Sequence, residues 1–163
     1  MTDVLFVCTG NIFRSLTAEY ALRRELGADS RIVVASAGTE DYPYTVRPNV
    51  RDYLLRKGID VSSHRRRTLT PEMLQSARYV VAMSLNHQSF MHERFGVRAP
   101  VFLEACGGAC EALPDIEEVV LDYRTNPAAV DAHVRMTIDR IIEAMPRLAA
   151  SLHLQVQEWR SSR

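Results

Sequence analysis

Asp3-Val-Leu-Phe-Val-Cys8 is a short apolar run that leads into the polar, glycine-bearing turn Thr9-Gly10-Asn11. From Ser15 to Leu26, apolar residues recur at helical spacing, and Gly27 follows them. This pattern predicts a strand, a tight loop and a helix, in that order. In open α/β sheets, ligands bind beyond the carboxyl ends of the strands, so a binding site is expected in this loop.

Strands and helices alternate along the rest of the sequence. β-Branched and apolar runs predict further strands at 31–37, 79–83 and 100–103. Helices are predicted at 49–57, 72–76, 84–95 and, on the clearest 3.6-residue period, 130–152. Nearly continuous apolar strands of this kind favour a parallel sheet that is covered by helices on both faces.

The composition indicates one soluble domain. The chain has 163 residues, of which 47% are hydrophobic and 25% are charged, enough to bury a sizeable core. We expect the domain to cover residues 1–154 and to leave a polar C-terminal tail at 155–163. Basic and acidic residues number 20 each, so no net field recruits nucleic acid or a membrane surface.

The N-terminus and the cysteine content favour a cytoplasmic protein. The first residues lack the basic start and long apolar core of a signal peptide, and no later segment has the roughly 18 apolar residues of a membrane span. The three cysteines, Cys8, Cys106 and Cys110, are an odd and small set, which argues against a disulfide framework. Reduced thiols are therefore expected, and chemistry at a thiol is permitted.

The loop after the first strand carries residues suited to phosphate chemistry. Successive backbone N–H groups and a helix N-terminus form a concave anion receptor, and the planar fork of Arg14 suits two phosphate oxygens. The same positive surroundings stabilise the thiolate of Cys8, to which Ser15 can donate its hydroxyl proton. Cysteine, five residues, arginine and serine on a strand-to-helix turn predict a cysteine nucleophile. The predicted phosphate-binding residues are Thr9, Gly10, Asn11, Ile12, Phe13, Arg14 and Ser15.

Two further segments, Ser36-Ala-Gly-Thr39 and Ser63-His-Arg-Arg-Arg67, accompany the loop. Together with residues 7–15 they resemble the low-molecular-weight protein tyrosine phosphatases. The resemblance implies a single three-layer α/β domain, with helices on both faces of a four-stranded parallel sheet of order 2-1-3-4. It also implies hydrolysis through a phosphocysteine intermediate on Cys8, with Arg14 and the loop amides binding the phosphoryl oxygens.

A general acid is also implied by the resemblance. In the family it is the aspartate of an Asp-Pro pair in a loop shortly before the last helix, and Asp122 is the candidate in this sequence. Such a group protonates the leaving phenolate and then, as a carboxylate, activates water against the phosphocysteine. Tyr123 stands where the family has proline.

A hydrogen-bonded brace around the loop is a further feature of the family. It is built from an asparagine and a serine of the loop, a serine after the second strand, and a histidine. The matching residues here are Asn11, Ser15, Ser36 and His64. Their expected role is to hold the strained loop in place.

Substrate choice is expected to depend on Ile12, Tyr42 and Tyr123. Tyr42 falls where the family places an aromatic wall, and Tyr123 is expected to form the opposite wall of a deep slot that favours phosphotyrosine. Relatives that act on phosphoarginine have threonine at the position of Ile12. The resemblance therefore implies a phosphotyrosine-containing protein as substrate, with no cofactor or metal, and a monomer or weak homodimer.

Two alternatives remain open at this point. Thioredoxin-coupled arsenate reductases share the loop and use two further cysteines, for which Cys106 and Cys110 are candidates, although this pair follows the fourth predicted strand rather than the third. The Cys-x₃-Cys spacing of the pair is also uncommon for zinc. The other alternative is a non-catalytic module that binds phosphate or a phosphopeptide.

Overall fold

The sheet of this protein is built from three parallel strands. The computed structural model describes residues 1–41 and 43–161, with side chains as far as residue 152. Strand β1 spans Thr2–Cys8, β2 spans Val34–Gly38 and β3 spans Ala77–Ala82. The order in the sheet is β2-β1-β3, so β1 lies in the middle and delivers Cys8 to the carboxyl edge.

The prediction of a four-stranded sheet of order 2-1-3-4 is wrong, because the described residues form three strands. Where a fourth strand was predicted, Val101 makes only an isolated parallel bridge with Ala82, whose N–H donates to the carbonyl of Pro100 at 2.9 Å. Pro100 has no N–H with which to extend a ladder. The chain then turns into a helix at once, since the N–H of Ala105 donates to the carbonyl of Val101 at 2.9 Å.

The described residues form seven helices. Their bounds are α1 Arg14–Leu26, α2 Pro48–Arg56, α3 Pro71–Ser76, α4 Leu85–Phe95, α5 Phe102–Ala105, α6 Ile116–Val119 and α7 Pro127–Ser161. The predicted division at residue 154 falls inside α7. None of the helices in the described part of the chain combines the length and hydropathy needed to cross a membrane.

Helices cover both faces of the sheet because alternate residues of β1 point in opposite directions. Val4 and Phe6 belong to a cluster with the buried faces of α1 and α7. Leu5 and Val7 belong to a second cluster that includes Met91 of α4. The result is a three-layer α/β fold whose central strand is buried on both sides.

The final helix provides the longest stripe of the larger cluster. Its residues Val130, Val134, Ile138, Ile141, Met145, Leu148, Ala149 and Leu152 are all buried. They follow the 3.6-residue period that the sequence shows. Because this face of the helix is buried along its length, apolar residues recur there more regularly than in the other predicted helices.

Truncation of Ile138 tests the contribution of this stripe. Ile138 is fully buried, so Ile138→Ala is expected to lower the free energy of unfolding by about 2–5 kcal/mol. Met136 lies on the same helix with its side chain 52% exposed, and Met136→Ala should change it by less than about 0.5 kcal/mol. Urea denaturation of both variants is the measurement, and equal losses would contradict the packing described.

The end of β2 supports the loop that follows Cys8. Gly38 pairs with Cys8 in the sheet register, and the N–H of Thr39 donates to the Cys8 carbonyl at 2.8 Å. A Cβ placed on Gly38 would lie 2.5 Å from the carbonyl oxygen of Thr9 and 3.1 Å from the backbone nitrogen of Asn11. Both contacts are with backbone, which cannot rotate away, so only glycine fits beneath the loop.

Gly38→Ala is therefore expected to displace the loop. We expect its affinity for inorganic phosphate to fall at least tenfold, about 1.4 kcal/mol or more of binding free energy. Gly58 is the matched control: it has φ of 77° and open space around it, so Gly58→Ala should cost about 1–2 kcal/mol of stability without weakening phosphate binding. Titration calorimetry with phosphate distinguishes the two, and wild-type affinity in Gly38→Ala would refute the steric argument.

Candidate active site

Cys8 lies at the base of a cavity of about 200 Å³. The cavity is lined by Cys8, Thr9, Gly10, Ile12, Phe13, Arg14, Arg47, Asn86, Asp115, Ile116, Glu117 and Glu118. Six of these residues come from the end of β1, the loop and the start of α1, where the sequence predicted a phosphate site. The loop thus supplies one wall, and a distant segment around α6 supplies another.

The sulfur of Cys8 receives two hydrogen bonds. The backbone N–H of Asn11 donates to Sγ at 3.3 Å, and the hydroxyl oxygen of Ser15 lies 2.9 Å from it. That oxygen already accepts from Asn11 Nδ2 at 2.9 Å, which leaves the Ser15 proton free to point at the sulfur. Two donors aimed at one sulfur stabilise a thiolate, the form that acts as a nucleophile.

Asn11 holds the loop together through both its backbone and its side chain. It is the one described non-glycine residue with a positive φ, 55°. Its Nδ2 also donates to Ser36 Oγ at 2.7 Å, and its carbonyl oxygen lies 2.9 Å from Nε2 of His64. The structure brings together the four residues Asn11, Ser15, Ser36 and His64 that the sequence analysis named.

His64 must donate to Asn11, because a carbonyl oxygen can only accept. Burial lowers the pKa of His64, which favours the neutral ring, and the Asn11 carbonyl opposes this in part. The proton of the neutral ring therefore lies on Nε2. Nδ1 has no partner among the described residues.

Glu19, which was not predicted from the sequence, supports the brace through a hydrogen bond with Ser36. Its side chain is 1% exposed, and its Oε2 accepts the hydroxyl proton of Ser36. Arg23 and Arg67 neutralise the carboxylate as ion-pair partners. Glu19 lies four residues after Ser15, on the same face of α1, and this spacing is the signal that could have identified it.

Arg14 is almost fully buried and points toward the segment before α6. One guanidinium nitrogen donates to the carbonyl of Leu113 at 2.9 Å, and the other donates to Asp115 Oδ2 at 2.5 Å. The side chain of Asp115 is 37% exposed, so it faces the cavity while it is paired. An arginine, a carboxylate and the sulfur of Cys8 are thus assembled around one space.

Asp115 lines the cavity, whereas Asp122, the residue named from the sequence, does not. Asp122 is exposed, does not line the cavity, and accepts a hydrogen bond from Asn126 Nδ2 at 3.0 Å ahead of α7. Tyr123 also lies outside the lining, where it packs against the core and its hydroxyl accepts from Arg124 at 3.1 Å. Tyr42 is outside the described residues, so its predicted place as a wall is untested.

A capping box explains why Asp115 is held where it is. Its Oδ1 accepts from the N–H of Ile116 at 2.8 Å, and its own N–H donates to Glu118 Oε2 at 2.6 Å, at the start of α6. The capping box leaves Oδ2 for Arg14. The aspartate and the glutamate three residues later form a recognisable N-terminal signature, which could have identified this position from the sequence.

A histidine of α7 fixes the same segment from behind. Nε2 of His133 lies 3.1 Å from the carbonyl oxygen of Pro114, to which it donates. The ring of His133 also meets the ring of Phe13 edge-on, with centroids 6.5 Å apart. His133 therefore links the phosphate loop to the segment that carries Asp115.

The other two cysteines lie outside the cavity. All three cysteines are free thiols, Cys106 being buried in the core and Cys110 exposed. Burial raises the pKa of Cys106 to about 12. In the part of the chain that the structure describes, no three histidine, cysteine, aspartate or glutamate side chains are grouped to hold a metal ion.

Comparison with known proteins identifies the family of this chain. The model of the family "Low molecular weight phosphotyrosine protein phosphatase" matches residues 3–158. A probable low molecular weight protein-tyrosine-phosphatase, EpsP of Ralstonia solanacearum, is 28% identical over 150 residues, which are 90% of this chain and 96% of that protein. The protein-tyrosine-phosphatase Ptp of Acinetobacter johnsonii is 33% identical over 92 residues, 56% of this chain, and the match spans less than two thirds of its own length, 63%.

A solved structure shows the same fold. The YwlE arginine phosphatase from Geobacillus stearothermophilus superposes with a TM-score of 0.78 at 25% identity, covering 97% of each chain. The family match over nearly the whole sequence agrees with the loop from Cys8 to Ser15 and with the parallel sheet. This chain belongs to the low molecular weight phosphotyrosine protein phosphatase family.

Proposed function

We propose that this protein hydrolyses phosphotyrosine in proteins through a phosphocysteine intermediate on Cys8. The observation that carries the proposal is the convergence of three groups on one cavity: the sulfur of Cys8 with its two donors, the guanidinium of Arg14, and the carboxyl group of Asp115. A nucleophile, an anion-binding group and a proton carrier are the parts that phosphate-ester hydrolysis needs.

The reaction proceeds in two displacements at phosphorus. In the first, the thiolate of Cys8 forms a bond to phosphorus while the bond to the tyrosyl oxygen breaks, and Asp115 gives that oxygen its proton. In the second, the carboxylate of Asp115 takes a proton from water, whose oxygen displaces the sulfur. Inorganic phosphate and the thiolate are the products, and Asp115 again carries its proton.

Arg14 links the two parts of this mechanism. It lies at the start of α1, where loop N–H groups and its own fork provide the donors for the phosphoryl oxygens. Its present partners are both on the segment of Asp115. The same side chain therefore aligns the acid with the site at which the leaving oxygen must stand.

The brace of Asn11, Ser15, Ser36 and His64 contributes preorganisation. A left-handed asparagine costs about 1 kcal/mol or more, and its hydrogen bonds in the core offset that cost before any substrate arrives. The loop need not reorganise when the anion binds. We propose that these residues act on the loop rather than on the substrate.

The general-acid role is tested by a pair of variants. Asp115→Asn should lower kcat about 10²–10⁴-fold for phenyl phosphate, whose leaving group is poor, and much less for 4-nitrophenyl phosphate. Asp122→Asn is the matched control, and its kcat for both esters should stay within about twofold of the wild-type value, because surface changes rarely propagate. Steady-state kinetics decide between them. A large loss in Asp122→Asn with none in Asp115→Asn would return the acid role to Asp122.

Phosphoarginine is a second candidate substrate. The Geobacillus protein that shares this fold is described as an arginine phosphatase, and three acidic side chains, Asp115, Glu117 and Glu118, line the cavity beside Ile12. Acidic groups of this kind would suit a guanidinium. Ile12 instead offers an apolar contact to a phenyl ring, which favours phosphotyrosine.

Substitution of Ile12 measures this choice. The wild-type protein should show a higher kcat/KM for a phosphotyrosine peptide than for the matching phosphoarginine peptide. Ile12→Thr should shift that ratio toward phosphoarginine by about tenfold, because a hydroxyl replaces apolar contact in the lining. Val119→Thr, an exposed position on α6 outside the lining, is the control. A wild-type preference for phosphoarginine would overturn the substrate assignment while leaving the chemistry on Cys8 intact.

The alternatives from the sequence find little support in the geometry. A relay of oxidation through Cys106 requires a reactive thiol near Cys8, but Cys106 is buried in the core and burial holds its proton. A module that only binds phosphate has no use for the donors that converge on Cys8. The three free thiols also support the proposed cytoplasmic location.

A further inference from the structure

His87 is a buried histidine behind the phosphate loop that the mechanism above does not use. It lies in the first turn of α4 and its side chain is 1% exposed. Its Nε2 is 2.9 Å from the hydroxyl oxygen of Thr9, the residue that follows the nucleophile. On the other side of the ring, Nδ1 is 2.9 Å from the hydroxyl oxygen of Ser84.

The hydrogen bonds from Asn86 through Ser84 and His87 to Thr9 form a series, and the direction of each is fixed by the next one. Oδ1 of Asn86 accepts from the backbone N–H of His87 at 3.0 Å, and it also accepts the hydroxyl proton of Ser84. The oxygen of Ser84 has no second proton to give, so it accepts from Nδ1–H of His87. In a neutral ring Nε2 is then an acceptor, and the hydroxyl of Thr9 must donate to it.

The surroundings of His87 keep the ring neutral. Burial, and to a smaller extent the positive charge of Arg14, lower the pKa of His87 to about 3, although Asp115 opposes the shift. Arg14 and Asp115 are charged groups of the cavity lining, and Thr9, which contacts the ring, belongs to the same lining. At any pH near neutrality, Nε2 retains the lone pair that Thr9 needs.

We propose that His87 is a positioning residue that holds Thr9, and with it the start of the phosphate loop, through this hydrogen bond. The proposal rests on phosphate binding by the loop, as argued above. Since the Thr9 hydroxyl gives its only proton to His87, that proton does not reach a phosphoryl oxygen. The Thr9 side chain therefore supports the loop, and the loop amides and Arg14 are left to bind the anion.

The loop is thus held at two positions by two histidines. His64 donates to the carbonyl of Asn11, and His87 accepts from the side chain of Thr9. These attachments lie on either side of Gly10, which has no side chain with which to anchor itself. The backbone between Cys8 and Asn11 also accepts a hydrogen bond from the Glu40 N–H at the Thr9 carbonyl, 3.1 Å, and one from Arg66 Nε at the Gly10 carbonyl, 3.4 Å. Loss of either histidine should therefore weaken the support of the loop without releasing it.

A double-mutant cycle tests this inference, with inhibition by inorganic phosphate as the readout. His87→Leu and Thr9→Val should each raise the inhibition constant of phosphate about tenfold, the effect of losing one buried hydrogen bond. Both should change kcat less than KM. The double variant should be no weaker than either single variant, because the two changes remove the same bond. His87→Gln, whose amide can accept from Thr9 and donate to Ser84, should restore the constant to within about threefold of the wild-type value.

His92→Leu is the matched control, because His92 is an exposed histidine on the same helix, and its inhibition constant should be unchanged. A folded His87→Leu variant with wild-type phosphate inhibition, or losses that multiply in the double variant, would overturn the proposal. If His87→Leu does not fold, His87→Asn, whose amide is too short to span both hydroxyls, takes its place in the same cycle. Failure of the wild-type protein to bind phosphate would instead refute the proposed function.

Discussion

The left-handed backbone of Asn11 is the constraint on which the site depends. It turns the Asn11 N–H toward the sulfur of Cys8 and at the same time directs the side-chain amide inward to Ser15 and Ser36. A conformation of this kind persists only where the surrounding structure over-determines it. Here the surrounding structure is the brace, so the reactivity of the sulfur depends on hydrogen bonds made several residues away.

That constraint ties the site to the whole domain. Ser36 lies on β2, Glu19 on α1, and the backbone N–H of Arg67 donates to Oδ1 of Asn11 at 2.9 Å from the segment that precedes α3. The order β2-β1-β3 sets Gly38 directly beneath the loop. A sheet in which β2 did not neighbour β1 would separate Ser36 and Gly38 from the loop, so the pairing of these two strands and the geometry of the site are a single requirement.

Local pattern was sufficient for the parts of the site that are close in sequence. The strand, loop and helix around Cys8 follow from apolar spacing, and the final helix from its 3.6-residue period. The prediction of a fourth strand was wrong because Pro100 cannot extend a ladder of hydrogen bonds. The apolar character of residues 100–103 does not show this. The sequence did not predict Asp115 in the cavity lining, because Asp115 meets Arg14 across 101 residues of sequence and is separated by a short helix from the segment before α7 that contains Asp122.

The two buried histidines show how burial assigns opposite roles to one residue type. His64 acts as a donor to a carbonyl oxygen, and it would still donate if the ring gained a second proton. His87 acts as an acceptor for Thr9, and a second proton on its ring would remove the lone pair that makes the bond. Only His87 therefore needs to stay neutral, and burial holds its pKa down, with a smaller contribution from the positive charge of Arg14. The arginine that we propose to bind the anion thus also helps to maintain the hydrogen bond from Thr9 to His87.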